Sequence, residues 1–377
     1  MRTHTVHGTT GRKVATGLFF LVGCPVAAAI LSSPTAAADD APAPPLLPQV
    51  VADSPPAPPP LPVLVADVAP PPVPNQAPPS VPNQTPEIQH VTDRWDKISV
   101  FSPSMNRVIV NDVYKAPNPG APTFYLLPGI DGGDNLDPGT NFAPGAKSWF
   151  GMTDIQGFFA NKNVNVVSPL GGQFSWWTNW QNDPSKQYQT YMTQELPPVI
   201  NSTYHTNGAN AVGGLSSTGG TAIDYAVQAP GQYRAVGSYS GFPAVSDPPA
   251  PQEVAATLMG GGQSADNMWG PLGGPGWVQH DPAKNVDKLR GVAVYAAASG
   301  GGQGAVDKLP PGAGPNIAGG MIEGIVADST KKFADAAHSA GVPVNYVVEP
   351  QGSHTWGLFE SEMQDSWNTT IGPALGQ

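Results

Sequence analysis

The sequence predicts an α/β fold whose mainly parallel β-sheet is covered by helices on both faces. Short apolar runs typical of buried strands recur along the chain, and helix-like stretches separate them, the longest at residues 322–340. Parallel strands need long crossover connections, which are usually helices, so this alternation favours a parallel sheet. The apolar runs lie at residues 108–110, 124–127, 164–167, 292–295 and 344–348.

The segment NAVGGLSSTGG at residues 210–220 predicts a strand, a sharp turn and the start of a helix, with Ser216 at the tip of the turn. Small neighbours are needed there because strand and helix nearly touch. Such a turn presents a serine hydroxyl at the carboxyl edge of a parallel sheet, where α/β proteins place their chemistry. We interpret Ser216 as a candidate nucleophile. The alternative is an ordinary Gly/Ser loop, since Thr218 stands where the motif expects glycine.

The N-terminus predicts export. Positively charged residues precede an apolar run at 14–31, and alanines at 36–38 supply a cleavage site, so residues 1–38 are interpreted as a secretory signal peptide. A membrane anchor is disfavoured because Gly23 and Pro25 interrupt a run already short for a membrane span. The other alternative is a lipoprotein signal, in which LVGC at residues 21–24 would carry a lipid on Cys24.

The leader is followed by a Pro/Ala-rich segment at residues 39–87, in which VPNQ occurs at 73–76 and again at 81–84. Proline removes backbone donors and fixes φ, so we expect a disordered, extended linker without a packed core. The folded domain is predicted to occupy residues 88–377, a length that suits one α/β domain.

Composition narrows the function classes. The formal net charge of −11, with 12% charged residues, argues against a nucleic-acid partner. Cys24 is the one cysteine and lies in the predicted leader, so the mature chain is expected to have neither a disulfide nor a thiol nucleophile. We expect no metal and no cofactor, and the sequence leaves the oligomeric state open.

A serine nucleophile needs a base, which is usually histidine, and α/β-hydrolases carry serine, acid and histidine in that chain order. His354 follows the run at 344–348 in the loop QGSHTW, which is where that histidine belongs. His338 is expected to be exposed on a helix, and His280 is expected to lie in a surface loop. Spacing alone leaves six acids open: Asp247, Asp266, Asp281, Asp307, Glu323 and Asp328.

Six short motifs in this order resemble the antigen 85 complex, the secreted mycolyltransferases of mycolic-acid-bearing actinobacteria. The resemblance covers nearly the whole predicted domain. The motifs are SPSMNR at 102–107 (SPSMGR in the family), YLLPGI at 125–130 (YLLDGL), GGQ at 171–173 with Trp180, GLSSTG at 214–219 (GLSMSG), NMWGP at 267–271 with Trp277 and DP at 281–282, and GSHTW at 352–356 (GTHSW).

The resemblance implies an α/β-hydrolase fold and a role for each site residue. It makes Ser216 the nucleophile and His354 the base, and MIEG at residues 321–324, like the family's FLEG, makes Glu323 the acid. It assigns the oxyanion hole to the backbone N–H groups of Ile130 and Ser217. Two such donors are the usual main source of rate in acyl transfer.

Two positions depart from the family pattern. Pro128 and Asp131 replace an aspartate and an arginine that help to hold trehalose in antigen 85 proteins. The resemblance places both beside the acceptor, so the sugar pocket is expected to be altered, with Asp131 as a substrate-binding candidate. Trp356 is the second candidate, because it could stack on a sugar or pack on an acyl chain.

The resemblance therefore implies a secreted or cell-envelope acyltransferase. It would move a mycolyl or other long acyl group from an acyl glycolipid or acyl ester donor to a carbohydrate, glycerol or lipid acceptor. A carboxylesterase with the same residues is the alternative. A non-catalytic envelope- or matrix-binding relative is the third hypothesis, and it is the weakest because all three candidate catalytic positions are filled.

Overall fold

The computed structural model describes residues 85–133, 147–310 and 312–377. The predicted signal peptide, Cys24 and nearly all of the predicted linker lie outside the described residues. The first described strand begins at Glu87, one residue before the predicted start of the domain.

Nine strands of the described residues form one sheet in the order β1-β2-β3-β5-β4-β6-β7-β8-β9. The strands are β1 (Glu87–His90), β2 (Trp95–Ser102), β3 (Arg107–Tyr114), β4 (Thr123–Leu127), β5 (Asn165–Pro169), β6 (Asn210–Leu215), β7 (Ala235–Tyr239), β8 (Ala293–Ser299) and β9 (Asn345–Glu349). β1, β2 and β3 pair antiparallel and β3 joins β5 antiparallel, whereas the other pairs are parallel. The predicted mainly parallel sheet is confirmed, with an antiparallel edge that the sequence analysis did not predict.

The helices alternate with the parallel strands. They are α1 (Trp149–Met152), α2 (Ile155–Phe159), α3 (Tyr188–Thr190), α4 (Leu196–Tyr204), α5 (Gly219–Gln228), α6 (Ala250–Gly260), α7 (Ala265–Trp269), α8 (Pro275–Gln279), α9 (Ile317–Ala340), α10 (Trp356–Ser366) and α11 (Gly372–Ala374). The longest, α9, begins five residues before the predicted stretch because Asn316 caps it, accepting a hydrogen bond from Gly319 N. No helix of the described residues is both long and apolar enough to cross a membrane.

Two hydrophobic layers cover the two faces of the sheet. Successive residues of β4 point to opposite faces. Tyr125 and Leu127 join a core with residues of α4, α5 and α9, whereas Phe124 and Leu126 join a second core with residues of α1, α2 and α10. A buried strand therefore has no polar face, which is why β4 reads as a continuous apolar run in the sequence.

The parallel strands end together at one edge of the sheet. In the register, Leu127 pairs with Gly214, Leu215 with Tyr239, and Ser299 with Glu349. The loops that follow these strands are therefore collected at the carboxyl edge, where α/β sheets place their ligands.

The core predicts a large stability difference between two identical substitutions. Leu126 is fully buried, whereas Leu272 is 45% exposed. We expect Leu126→Ala to lower the free energy of unfolding by about 2–5 kcal/mol, because it leaves a cavity. Leu272→Ala should change it by less than about 0.5 kcal/mol. Urea unfolding monitored by tryptophan fluorescence measures both, and equal losses would show that this face of the sheet is not the core.

Candidate active site

The candidate nucleophile lies in the turn between β6 and α5. Ser216 follows the last residue of β6 and begins a single 3₁₀ turn, Ser216–Thr218, that leads into α5. Its φ is +53°, in the left-handed region that side chains rarely adopt. The predicted strand, sharp turn and helix are therefore present, with the serine at the tip.

Close backbone contacts explain the small residues around Ser216. A Cβ atom at Gly214 would lie 2.3 Å from Thr218 O, and one at Gly220 would lie 2.2 Å from Phe242 O. Both distances are far below van der Waals contact with backbone atoms that cannot rotate away. Glycine is required at these positions because α5 passes so close to the neighbouring strands and loops.

Thr218 fastens this turn to the loop after β4. Its Oγ1 lies 2.8 Å from Pro128 O and 3.1 Å from Leu215 N. The threonine at the position where the motif expects glycine thus has a structural reason. The contact could not be predicted from the motif, because Pro128 lies 90 residues away along the chain.

His354 lies in the loop between β9 and α10, as predicted. Its φ is +58°, and several buried hydrogen bonds hold the loop in this conformation. Asp307 Oδ1 accepts from Ser353 N at 2.8 Å and from Thr355 Oγ1 at 2.7 Å. Burial raises the pKa of Asp307, but hydrogen bonds from Gly304 N, Thr355 and Ser353 outweigh it, so the pKa lies below its usual range.

The three candidate catalytic side chains form one hydrogen-bonded chain. His354 Nε2 lies 2.8 Å from Ser216 Oγ, and His354 Nδ1 lies 2.7 Å from Glu323 Oε1. Glu323 is fully buried and the His354 side chain is 11% exposed, so the chain opens to solvent at its serine end. With Nδ1 donating to the carboxylate, Nε2 is free to accept the serine proton.

The geometry selects Glu323 from the six candidate acids. Glu323 Oε2 also accepts hydrogen bonds from Ser299 N and Ser240 Oγ, both at 3.0 Å, which hold the carboxylate toward His354. Asp307 supports the histidine loop instead. The remaining acids lie elsewhere: Asp328 and Asp247 form ion pairs with Lys332 and Lys284, Asp281 accepts from Ser246, and Asp266 is exposed.

The predicted surface position was wrong for His280 and right for His338. His280 is buried rather than superficial, because its Nδ1 lies 2.8 Å from Asp224 Oδ2 and its ring stacks on Trp269 at 5.0 Å. Asp224 lies on α5, 56 residues earlier, so no local sequence pattern indicates this pair. His338 is exposed on α9, as predicted.

The segments expected to form the oxyanion hole lie on either side of the Thr218 contact. Ser217 is buried in the turn, and Ile130 is half-buried in the loop after β4. Ile130 O accepts a hydrogen bond from Phe174 N at 2.9 Å. The Thr218–Pro128 bond therefore ties the segment that carries Ile130 N–H to the one that carries Ser217 N–H.

The two departures from the family pattern differ in exposure. Pro128 is buried and its carbonyl accepts a hydrogen bond from Thr218, and its place beside the acceptor stays a prediction. Asp131 is partly exposed, and its Oδ1 accepts from Gly133 N at 3.2 Å. Of these two residues, Asp131 is therefore the one whose side chain is open to solvent.

Trp356 is the second substrate-binding candidate. It packs edge-on against Trp149, with ring centroids 5.6 Å apart, and also contacts Phe359. Phe359 also contacts the His354 ring, so Trp356 belongs to the aromatic cluster beside His354. The part of the chain that the structure describes contains no group of three or more His, Cys, Asp or Glu residues that could hold a metal ion.

Comparisons with known proteins agree with this architecture. A family model for putative esterases matches residues 102–368. The crystal structure of MPT51 (FbpC1) from Mycobacterium tuberculosis matches with a TM-score of 0.61 and 25% identity over 76% of this chain and 99% of that one. An S-formylglutathione hydrolase from Agrobacterium tumefaciens, 13% identical, matches with a TM-score of 0.53 over 74% of this chain and 97% of that one, and shares the fold. The predicted α/β-hydrolase fold is confirmed.

Sequence relatives narrow the family. The diacylglycerol acyltransferase/mycolyltransferase Ag85A of Mycobacterium tuberculosis (strain H37Rv) is 30% identical over 286 residues, which cover 71% of this chain and 77% of that protein. Ag85B of Mycobacterium intracellulare is 29% identical over 277 residues, covering 68% and 76%. The chain therefore belongs to the putative esterase family and, within it, to the antigen 85-like enzymes, which are acyltransferases and esterases.

Proposed function

We propose that this protein is a secreted serine acyltransferase that moves a mycolyl or other long acyl group onto a cell-envelope carbohydrate, glycerol or lipid acceptor. The observation that carries the proposal is the continuous chain from Ser216 Oγ through His354 to Glu323, with contacts of 2.8 and 2.7 Å. Relatives named mycolyltransferases support the choice of acyl group. The predicted signal peptide supports export to the envelope.

In the first half-reaction, Ser216 Oγ attacks the carbonyl carbon of the donor ester while His354 Nε2 takes the hydroxyl proton. The Glu323 carboxylate stabilises the imidazolium that forms. The N–H groups of Ile130 and Ser217 donate to the tetrahedral oxygen. His354 then returns the proton to the leaving alcohol, which departs and leaves an acyl ester on Ser216.

In the second half-reaction, a hydroxyl group of the acceptor takes the place of the departed alcohol. His354 accepts its proton as the acceptor oxygen attacks the acyl carbon, and then gives that proton to Ser216 Oγ as the ester bond breaks. The enzyme returns to its starting state with the acyl group on the acceptor. Water in the acceptor position gives hydrolysis by the same steps.

A carboxylesterase is the second candidate function, and one observation favours it. Asp131 replaces the arginine that the family resemblance places beside the acceptor. A carboxylate accepts hydrogen bonds from sugar hydroxyls but cannot donate them. Loss of that donor weakens the argument for a sugar in the acceptor position. A purely binding function is disfavoured by the intact contacts among Ser216, His354 and Glu323.

Covalent labelling tests the nucleophile. A serine-reactive phosphonate should modify Ser216 in the wild-type protein, because His354 activates that hydroxyl alone. Ser216→Ala should abolish the labelling. Ser202→Ala is the matched control and should label fully, since Ser202 is exposed near the end of α4 that leads to the start of β6, whereas Ser216 follows the other end of that strand. Intact-protein mass spectrometry measures both, and wild-type labelling of Ser216→Ala would exclude Ser216.

A second pair of variants tests the acid. Glu323→Gln should lower turnover of an acyl ester by about two to four orders of magnitude, because an amide cannot stabilise the imidazolium. Asp328→Asn removes an exposed carboxylate five residues along the same helix and should leave turnover unchanged. Steady-state rates with circular dichroism as a folding control decide the point. Near-full activity of folded Glu323→Gln would give the role to another acid.

The acceptor is tested in a transfer assay with a long-chain acyl ester donor. We expect weak dependence on trehalose, with glycerol, another envelope sugar or water competing, because one lost hydrogen-bond partner costs about 1–3 kcal/mol of binding. Ag85A of Mycobacterium tuberculosis run in parallel is the comparison. Mass spectrometry of the products separates transfer from hydrolysis. Trehalose transfer as efficient as that of Ag85A would show that other residues rebuild the pocket.

A further inference from the structure

A second carboxyl group lies directly behind the candidate acid. Glu362 on α10 is fully buried, and its Oε1 lies 3.0 Å from Ser240 Oγ. The same Ser240 oxygen lies 3.0 Å from Glu323 Oε2. Ser240 directly follows β7 with φ +44° and is itself fully buried, so its hydroxyl is fixed between the two carboxyl groups.

The two contacts of Ser240 Oγ need two hydrogens, which implies that one of these carboxyl groups is protonated. A serine hydroxyl carries a single hydrogen and can donate to one acceptor at a time. If Glu323 and Glu362 were both ionised, one of the two 3.0 Å contacts of Ser240 Oγ would join two oxygens with no hydrogen between them. Both contacts are hydrogen bonds only when one carboxyl group supplies a second hydrogen.

The remaining partners identify which group holds the proton. Glu323 accepts from Ser299 N at 3.0 Å and contacts His354 Nδ1 at 2.7 Å, so both of its oxygens face donors, as an ionised carboxylate requires. Glu362 has donors from Ser240 alone, the Oγ contact on Oε1 and a backbone hydrogen bond, and its Oε2 is buried without a close hydrogen-bond partner among the described residues. An ionised carboxylate in that position would lose its hydration without enough hydrogen bonds to replace it, which costs free energy.

The surrounding charges favour the neutral form of Glu362. Burial and the charges of Glu323 and Glu349 raise its pKa well above the usual range, and they outweigh the hydrogen bonds from the Ser240 side chain and backbone, which lower it. Two tyrosines on the sheet face that α10 covers also lie near it. Tyr239 on β7 and Tyr295 on β8 are both buried, and burial raises the pKa of each, so both are neutral.

The hydroxyl groups of these tyrosines are occupied elsewhere. Tyr239 OH pairs with Ser366 at 2.8 Å, and Tyr295 OH donates to Asp365 Oδ2 at 2.9 Å. No ion pair involving Glu362 occurs among the described residues. Among the described residues, the hydrogen bonds from Ser240 are therefore the groups that favour a negative charge on Glu362, and no positive charge faces it.

We propose that Glu362 is a positioning residue for the serine chemistry proposed above, donating its carboxyl hydrogen to Ser240 Oγ and thereby directing the Ser240 hydrogen onto Oε2 of Glu323. This inference rests on the proposed function. The arrangement keeps a single negative charge behind His354. It also fixes the rotation of the Glu323 carboxylate, so that Oε1 stays on His354 Nδ1.

The proton assignment has a test that does not depend on activity. Below the usual glutamate pKa of about 4.3, the folded and unfolded chains both hold the Glu362 proton. At higher pH the unfolded chain releases it and the folded chain keeps it, so wild-type stability falls as pH rises. Glu362→Gln has no titrating group at this position, so it does not lose stability in this way. The difference between its Tm and that of the wild type should therefore increase by about 2–4 °C per pH unit between pH 5 and 8.

Glu87→Gln is the matched control, because it makes the same change of side chain at an exposed position of the edge strand β1. Its Tm difference from the wild type should not vary with pH. A difference between Glu362→Gln and the wild type that is likewise constant from pH 5 to 8 would show that Glu362 is ionised in the folded protein. That result would overturn the proposal.

Kinetics test the positioning role. An amide can donate to Ser240 as the acid does, so Glu362→Gln should keep kcat within about 2-fold of the wild type. The pH at which kcat/KM falls on the acidic side of its pH profile (the acid limb) should also be the same as in the wild type, because no charge near His354 changes. Glu362→Met removes the donor at similar volume, and kcat should fall about 2- to 10-fold with KM unchanged. Circular dichroism and Tm confirm that each variant is folded.

The outcomes separate the two proposals. An acid limb that moves to lower pH in Glu362→Gln would reveal a lost negative charge, and wild-type kcat in folded Glu362→Met would show that the donor has no positioning role. Either result overturns this inference while the serine mechanism stands. Absence of any turnover in the wild type would instead contradict the proposed function. The Tm values of the wild type and Glu362→Gln from pH 5 to 8 would still decide which carboxyl group holds the proton.

Discussion

The left-handed backbone at Ser216 is the constraint on which the rest of the site depends. A non-glycine residue held at φ +53° costs about 1–3 kcal/mol, and it persists only where the surroundings over-determine it. Here they do, because Gly214 and Gly220 let α5 pack against backbone atoms that leave no room for a Cβ atom. His354 and Ser240 are also at positive φ. Buried hydrogen bonds from three different elements hold these turns, so the distances in the site follow from the packing of the sheet and its helices.

The parallel half of the sheet could be predicted from the sequence, because a strand buried on both faces carries only apolar residues. The antiparallel edge was missed. In β2 every second residue is buried, from Asp96 to Ser102, but two of these buried positions are polar. The polar residues broke the apolar alternation that would have identified the strand. β7 was missed for a different reason: AVGSY at 235–239 is short and contains a glycine, which weakens the strand signal although the strand is fully buried.

Chain order was enough to bring Ser216 and His354 to the same edge of the sheet, because both follow parallel strands. The acid could not be found in this way. Glu323 and Asp328 lie on one helix, five residues and about 140° apart around its axis, so only one of them can face the sheet. Which face is buried depends on contacts with Ser240 and Ser299, which come from separate strands. The family resemblance supplied Glu323. The Asp224–His280 pair was invisible for the same reason, since two distant segments create it.

The machinery around Ser216 does not by itself decide between transfer and hydrolysis. In the proposed mechanism, His354 takes a proton from a sugar hydroxyl or from water in the same position, and the expected oxyanion contacts are the same for both. The partition must therefore be set by groups that hold the acceptor or exclude water. The 128–133 segment is one part of the described chain that lies beside the site, because Thr218 ties it to the turn that carries Ser216, the proposed nucleophile. Asp131 brings a carboxylate to that segment. A side chain beside the acyl-enzyme that only accepts hydrogen bonds favours acyl acceptors with many hydroxyl groups. Water also donates hydrogen bonds, so it competes well unless a larger acyl acceptor makes further binding contacts elsewhere.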